Sequence, residues 1–188
     1  MTLSTEDKKV LLSLARESIV NRIAPGENNN LPDPNLSEFL KMNCGTFVSL
    51  YVEGKLRGCI GTFSEENTLI QNVKNMAVSA AISDSRFNPI EPGDLELLKI
   101  EISVLSPRER IYETDGIILG KHGIYMIKGT NRGTLLPQVA ISQNWSVDEF
   151  LGNCAKYKAG IGWDGWKTAD LYIYEACVFS AEDSSSDC

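Results

Sequence analysis

Residues 45–52 and 55–61 have the residues of strands and lie on either side of a Glu53-Gly54 pair, which predicts two strands joined by a tight turn. Gly54 suits such a turn because glycine adopts positive φ without steric cost. This hairpin also carries the most unusual residues of the chain, Arg57, Gly58, Cys59 and Gly61. The segment therefore indicates both a β-sheet and the region where a site is expected.

Helical spacing of apolar residues predicts helices that accompany the sheet. Ser4-Thr-Glu-Asp7 has the pattern of a capping box and is followed by a predicted helix to about Arg22. Residues 67–83 place their apolar side chains on one stripe, with Asn67 as the predicted N-cap, so we expect this helix to pack on the sheet. Two further helices are predicted at residues 137–143 and 146–158.

Further strands are predicted in the second half of the chain. Residues 98–105 alternate so that Glu101 lies on the face opposite the apolar side chains. Residues 117–119 and 124–127 flank the turn Gly120-Lys-His-Gly123 as a second strand-turn-strand unit, and strands are also predicted at 132–136 and 170–180. The pattern as a whole predicts an α+β fold with a mixed or antiparallel sheet and packed helices.

Composition and charge restrict the class of protein. The chain has 188 residues, of which 43% are apolar and 23% charged, and this is typical of one globular domain over residues 1–180. A net charge of −7 argues against bulk nucleic-acid binding, although a local cationic cluster would select a small anionic ligand. With no long apolar stretch and no leader-like start, we expect a cytoplasmic protein that does not enter a membrane.

Two segments are expected to lack regular structure. The polar loop after Pro25 is broken by asparagines and prolines, and the acidic tail at residues 181–188 is expected to be disordered. The five cysteines are widely spaced and odd in number, so they are predicted to be reduced thiols.

Six motifs together resemble one protein family. In chain order they are Leu56-Arg-Gly-Cys-Ile-Gly61, Asp84-Ser-Arg-Phe87, Glu101-Ile-Ser-Val-Leu-Ser-Pro107, Gly120-Lys-His-Gly123, Leu135-Leu-Pro-Gln-Val-Ala140, and Trp145 before Glu149-Phe-Leu151. This set is similar to the AMMECR-type domain family, known in prokaryotes as AmmeMemoRadiSam system protein A. The resemblance implies a larger and a smaller lobe with a cleft between them, and no established activity. It also implies an association with a Memo-like protein and a radical S-adenosylmethionine (SAM) enzyme.

Cys59 and His122 are the candidate catalytic residues. Cys59 lies between two glycines and near Arg57, so a thiolate nucleophile is one interpretation, and a buried cysteine that packs as a small hydrophobe is the alternative. His122 is the only histidine, so any imidazole base must be this residue; the alternative is a side chain that closes its turn by hydrogen bonding. We expect His122 to be exposed or half-exposed.

The candidate ligand-binding residues combine glycines, cations and polar groups. Gly58 and Gly61 allow close approach of backbone to a ligand, and nearby cations would suit a phosphate or carboxylate. The full set is Arg57, Gly58, Gly61, Arg86, Glu101, Lys121 and Gln138. For Asp84, pairing with Arg86 or Arg108 is the ordinary expectation. One histidine without a Cys-x-x-Cys motif is a poor ligand set, so we expect no metal site and no cofactor.

Two functions follow from these residues and from what the resemblance implies. In the first, the protein is a binding component whose cleft holds a ligand or a partner's peptide beside the Memo-like protein and the radical SAM enzyme. In the second, it is a thiol-dependent enzyme in which Cys59 attacks a small anionic or acyl substrate and His122 is the base. The sequence leaves open which of them holds.

Overall fold

The computed structural model describes residues 3–26, 37–63 and 66–181. The α-helices are α1 (Thr5–Ile23), α2 (Leu69–Ile82), α3 (Pro137–Ser142) and α4 (Val147–Asn153). The strands are β1 (Thr46–Val52), β2 (Lys55–Thr62), β3 (Leu98–Leu105), β4 (Glu109–Ile111), β5 (His122–Lys128), β6 (Asn131–Leu135) and β7 (Asp170–Ser180). Short 3₁₀ segments connect some of them at Glu38–Lys41, Pro92–Asp94 and Trp163–Thr168, and a short π-helix follows α4 at Cys154–Lys158. The predicted α+β class is confirmed.

The chain divides into two compact units. Unit 1 consists of Met1–Leu105 and Cys177–Cys188, and unit 2 consists of Ser106–Ala176. The organisation as a single domain with a cleft between two lobes stays a prediction. The predicted disordered tail lies outside the described residues except for its first residue, Ala181, and so does the polar loop beyond Gly26.

In unit 1, two helices pack on one face of an antiparallel sheet. β1 pairs with β2 on one side and with β3 on the other, and its alternate residues Val48 and Leu50 are fully buried. The helices contribute aliphatic side chains to the same core, which includes Leu11, Ala15 and Ile19 of α1 and Leu69, Val73, Ala77 and Ala80 of α2. The hairpin, the first helix with its Ser4–Asp7 capping box, and the strand at 98–105 are confirmed.

Gly58 lets α2 approach the sheet closely. A Cβ at this position would lie 2.0 Å from the backbone oxygen of Ala80, a distance that no side chain tolerates. Gly58 faces α2 together with its partner Leu50, because side chains of directly paired residues lie on the same face of a sheet. Helix packing therefore explains why this strand position holds glycine.

In unit 2, β5 pairs with β6 and with β7, and β4 adds to β7. The core contains Ile124 and Met126 of β5, Phe150 and Leu151 of α4, and Cys154, which directly follows α4. Thr134 and Tyr174 join their hydroxyl groups at 2.8 Å, and the Tyr174 hydroxyl also donates to the Leu135 carbonyl.

Some boundaries differ from those predicted. Residues 117–119 form no strand, and β5 begins at His122 itself, so the predicted strand-turn-strand unit around residues 120–123 is wrong in its first half. The helix predicted at 146–158 is present over that range, but it is α-helical over Val147–Asn153 and π-helical over Cys154–Lys158. The N-cap of α2 is Thr68, whose hydroxyl accepts from Gln71 N–H, and is not Asn67.

The cysteines are not all reduced. Cys44, Cys59 and Cys154 are free thiols, but Cys177 is disulfide-bonded, so the prediction of reduced cysteines is wrong at Cys177.

In the parts of the chain that are described, helices long and apolar enough to cross a bilayer are absent.

Candidate functional site

Cys59 lies on the face of the unit 1 sheet that is turned away from α2. Gly58 and Leu50 face the helix, so their neighbours Cys59 and Ser49 point to the other side. Ser49 pairs with Cys59 on β2 and with Glu101 on β3, which places these three side chains in one row across the sheet. Tyr51 shares this face of β1. We call Ser49, Tyr51, Cys59 and Glu101 the Cys59 face.

The surroundings of the Cys59 thiol are polar. The Ser49 hydroxyl donates to the Cys59 sulfur at 3.3 Å, and Cys59 is half-buried, whereas Cys44 and Cys154 are buried in the two cores. Burial raises the pKa of the Cys154 thiol to about 12. Burial, together with the negative charge of Glu101, also raises the pKa of Tyr51. Cys59 therefore differs from the core cysteines in both exposure and neighbours.

An ion pair holds the backbone of Cys59. Its N–H donates to Asp84 Oδ2 at 2.9 Å, and its carbonyl accepts from Arg86 Nη2 at 3.0 Å. Both groups thus point away from β1, as in a non-hydrogen-bonded strand pair, where opposite side chains approach most closely. Among the described strands, β2 pairs only with β1. The Asp84–Arg86 pair therefore makes the two backbone hydrogen bonds at Cys59 that a second neighbouring strand would otherwise make.

The Asp84–Arg86 pair is bidentate. Arg86 Nε donates to Oδ1 at 2.9 Å, and Nη2 donates to Oδ2 at 2.6 Å. The Arg86 guanidinium carbon also lies 5.2 Å from the centre of the Phe87 ring. The hydrogen bonds from Arg86 hold the pKa of the Asp84 carboxyl well below its usual range. Those with Asp84 raise the pKa of Arg86, and the Cys59 side chain adds to that increase. The expected pairing of Asp84 with Arg86 is confirmed.

The other candidate cations also have acidic partners. Arg57 pairs with Asp94 at 3.4 Å, and in unit 2 Lys121 pairs with Glu175 at 3.2 Å. Gly61 has a packing reason to be glycine, because a Cβ there would lie 2.1 Å from the Phe47 ring. The small-anion site thus stays a prediction.

His122 is buried at the start of β5, with only 9% of its surface exposed, so the expectation of an exposed ring is wrong. Its Nδ1 accepts a hydrogen bond from the Ile118 N–H at 3.2 Å. This bond closes the turn before β5, as the alternative interpretation of His122 describes. It also occupies the ring nitrogen lone pair that a base would use in this tautomer. The predicted catalytic pair of Cys59 and His122 stays a prediction.

The remaining candidates are less informative. Gln138 is exposed on α3, and Glu101 is half-buried on the Cys59 face. Sequence reasoning missed Ser49 and Tyr51, whose signal was their alternation with Val48 and Leu50. Within the described residues, three or more His, Cys, Asp or Glu side chains nowhere group as a metal site would require.

The comparisons with known proteins define the family. The AMMECR1 family model matches residues 12–179, and the chain belongs to the AMMECR1 family. It is similar to Protein MK0488 of Methanopyrus kandleri, with 37% identity covering 96% of this chain and 91% of that protein. A protein of Methanosarcina acetivorans is 34% identical, with 98% and 96% covered.

A solved structure has the same fold. The crystal structure titled as that of uncharacterized protein PH0010 from Pyrococcus horikoshii matches with a TM-score of 0.82 and 31% identity. The match covers 92% of this chain and 90% of that one. The names of these relatives state no activity.

Proposed function

We propose that the protein is a binding component whose binding surface is the Cys59 face. The observation that carries this proposal is the contrast between Cys59 and the core cysteines. A cysteine used for packing is buried among apolar side chains, as Cys44 and Cys154 are. Cys59 instead keeps partial exposure beside a hydroxyl group, and its backbone is fixed by two charged residues.

Rigidity favours binding at this face. A surface that is ordered before its ligand arrives loses less conformational entropy on association. Strand pairing with β1 and the Asp84–Arg86 pair both restrict Cys59 before any ligand is present. Tyr51 and Glu101 are half-buried on the same face, and their hydroxyl and carboxylate groups add polar atoms that give specificity.

We further propose that the partners are a Memo-like protein and a radical SAM enzyme. The motif resemblance suggests these partners, and membership of the AMMECR1 family is consistent with it. The three proteins would then act as one assembly, with this chain holding a ligand or a peptide of a partner.

The proposal is tested with a thiol label used as a steric probe. The chain is treated under native conditions with N-ethylmaleimide and mixed with the Memo-like protein and radical SAM enzyme of the same genome. Co-elution in size-exclusion chromatography is expected for the unlabelled chain and is expected to be lost on labelling. The Cys59→Ser chain, treated with the same reagent, is the matched control and should still co-elute.

Each result decides one part of the proposal. Equal co-elution of labelled and unlabelled wild-type chains would show that the partners bind elsewhere. No co-elution of any chain would refute the proposed partners.

A thiol-dependent reaction is the second candidate, because Cys59 is a half-buried free thiol beside the Ser49 hydroxyl. A thiol that a substrate reaches is the nucleophile that such a reaction needs. If His122 is the base, His122→Ala should slow the alkylation of Cys59 by iodoacetamide severalfold at pH 7. A matched substitution at the exposed Lys121 should leave the rate unchanged. Equal rates in all three chains would contradict a role for His122.

A further inference from the structure

The turn before β5 fixes the position of the proton on the His122 ring. Nδ1 accepts from the Ile118 N–H at 3.2 Å, and a backbone N–H can only donate, so Nδ1 carries no proton. A neutral imidazole with an unprotonated Nδ1 carries its proton on Nε2. His122 is therefore held as the tautomer that has an Nε2–H group.

The Nε2–H group has no acceptor within residues 3–26, 37–63 and 66–181. The residue as a whole is 9% exposed. In the same ranges, the side-chain atoms that are both sealed from solvent and without a partner belong to Glu17 and Ser37, so Nε2 keeps contact with solvent. Buried donors are almost always hydrogen-bonded. The oxygen that satisfies this donor must therefore come from outside the chain, as water or as part of a ligand.

The charged neighbours of the ring balance each other. Glu175 is the cross-strand partner of His122 on β7, so the two side chains lie on the same face of the sheet. Lys121 Nζ lies 3.2 Å from Glu175 Oε1, and both of these side chains are half-exposed. Because the pair is neutral, it attracts neither anions nor cations. The Nε2–H donor alone then selects the ligand, and a donor selects an acceptor oxygen.

We propose that His122 binds a ligand through its Nε2–H, which donates a hydrogen bond to the carbonyl-type oxygen of a carboxylate or an amide. The bond from the Ile118 N–H orients the ring before the ligand arrives, which lowers the entropic cost of binding. In this role His122 is not a base, because a protonated Nε2 has no lone pair to accept a proton. The proposal uses residues of unit 2 and does not rest on the Cys59 face.

The tautomer is measured first, by long-range ¹H–¹⁵N correlation NMR on the full chain at pH 8, where imidazole is neutral. His122 is the only histidine, so its ring signals are assigned without any variant. We expect a protonated Nε2 and an unprotonated Nδ1. A proton on Nδ1 would overturn the proposal, because that nitrogen could not then accept from Ile118.

Acetate and acetamide are then titrated as probes, because they share the carbonyl-type oxygen and differ in charge. We expect acetate to shift the Nε2 signal saturably and acetamide to do so more weakly, since charge-assisted hydrogen bonds are stronger. Tetramethylammonium chloride has no acceptor oxygen and should leave the signal unchanged. A response to acetate alone would support a carboxylate ligand, and a response to acetamide alone an amide ligand. No response to either probe would overturn the proposal.

Two substitutions separate the donor from the volume of the ring. His122→Gln keeps an N–H donor, whereas His122→Phe keeps a ring without one. With acetate as the probe and the backbone amide shifts of residues 118–123 as the readout, we expect His122→Gln to bind within roughly tenfold of wild type. We expect no binding to His122→Phe.

Lys128→Gln, which removes an exposed cation at the other end of β5, is the matched control and should bind acetate as the wild type does. Equal acetate binding in His122→Phe and wild type would place the anion at another residue and overturn the proposal. The ring measurements on the wild-type chain decide the proposal even if His122→Phe does not fold.

Discussion

Replacing Asp84 by Asn changes a carboxylate that accepts four hydrogen bonds. Oδ2 accepts from the Cys59 N–H and from Arg86 Nη2, and Oδ1 accepts from the Arg86 N–H and Nε. An asparagine turns one of these oxygens into an NH₂ group. In either amide orientation, two donors then face another donor. The substitution is therefore disruptive although it preserves shape.

The magnitude follows from the loss of two charge-assisted hydrogen bonds. Each is worth about 1.5–3 kcal/mol when fully buried. The Asp84 side chain is 5% exposed but the Arg86 side chain is 56% exposed, so water replaces part of the loss on the Arg86 side. We expect the free energy of unfolding to fall by about 2–3 kcal/mol at pH 7.

Urea unfolding with linear extrapolation measures this change, and the m-value should stay constant. The matched control is Asp164→Asn, which breaks an exposed pair with Lys167. Its effect should not exceed about 0.5 kcal/mol. If Asp84→Asn cost no more than Asp164→Asn, the Asp84–Arg86 pair would not hold β2 as described.

The remaining predictions concern acid, helix packing and a buried hydroxyl. Because the folded-state pKa of Asp84 is lowered, its stabilisation is fully present above the unfolded pKa of about 3.9 and is lost as pH falls below it. The stability difference between wild type and Asp84→Asn, measured by urea titration, should therefore shrink below about pH 4. A difference that grows below pH 4 would contradict this reasoning. Gly58→Ala should cost about 3 kcal/mol or more, because its Cβ meets the Ala80 oxygen, whereas Gly93→Ala has open space and should cost less than about 1 kcal/mol in the same assay. Tyr174→Phe removes the hydroxyl bonded to Thr134 and should lower the free energy of unfolding by about 1–2 kcal/mol; no change would mean that this bond adds nothing.

Local patterns predicted most of unit 1. Helices α1 and α2 follow from a period of 3.6 within a short window, and the β1–β2 hairpin follows from a strand-like segment on each side of a tight turn. The N-cap of α2 differs by one residue, because Thr68 and not Asn67 supplies the capping oxygen. Local signals therefore predict which elements form more accurately than they predict the first residue of each element.

The errors in unit 2 have a common cause. The apolar residues 117–119 predict a strand, but the Ile117 N–H donates to the Thr114 carbonyl and the Ile118 N–H donates to His122 Nδ1. These bonds make a turn in which Ile117 is buried as an anchor. A short apolar run is found both in buried turns and in strands. The two differ in the hydrogen-bond partners of the backbone, and the sequence of the run itself does not show those partners.

The candidate site was only partly predictable. Cys59 and Arg86 were identified from their motifs, but Ser49 came into the site only through the strand register. The role of Asp84 as an acceptor for the Cys59 N–H also depends on a contact 25 residues away in sequence. Such contacts are tertiary, and no periodicity within either segment reports them.

The accessibility of the Cys59 thiol in the folded chain tests the central claim most directly. The chain is incubated with N-ethylmaleimide at pH 7, and the modified cysteines are identified by peptide mass spectrometry over time. We predict that Cys59 is modified in the native state, while Cys44 and Cys154 are modified only after denaturation. Modification of Cys59 only on unfolding, at the same rate as the two core thiols, would contradict a binding surface at this position.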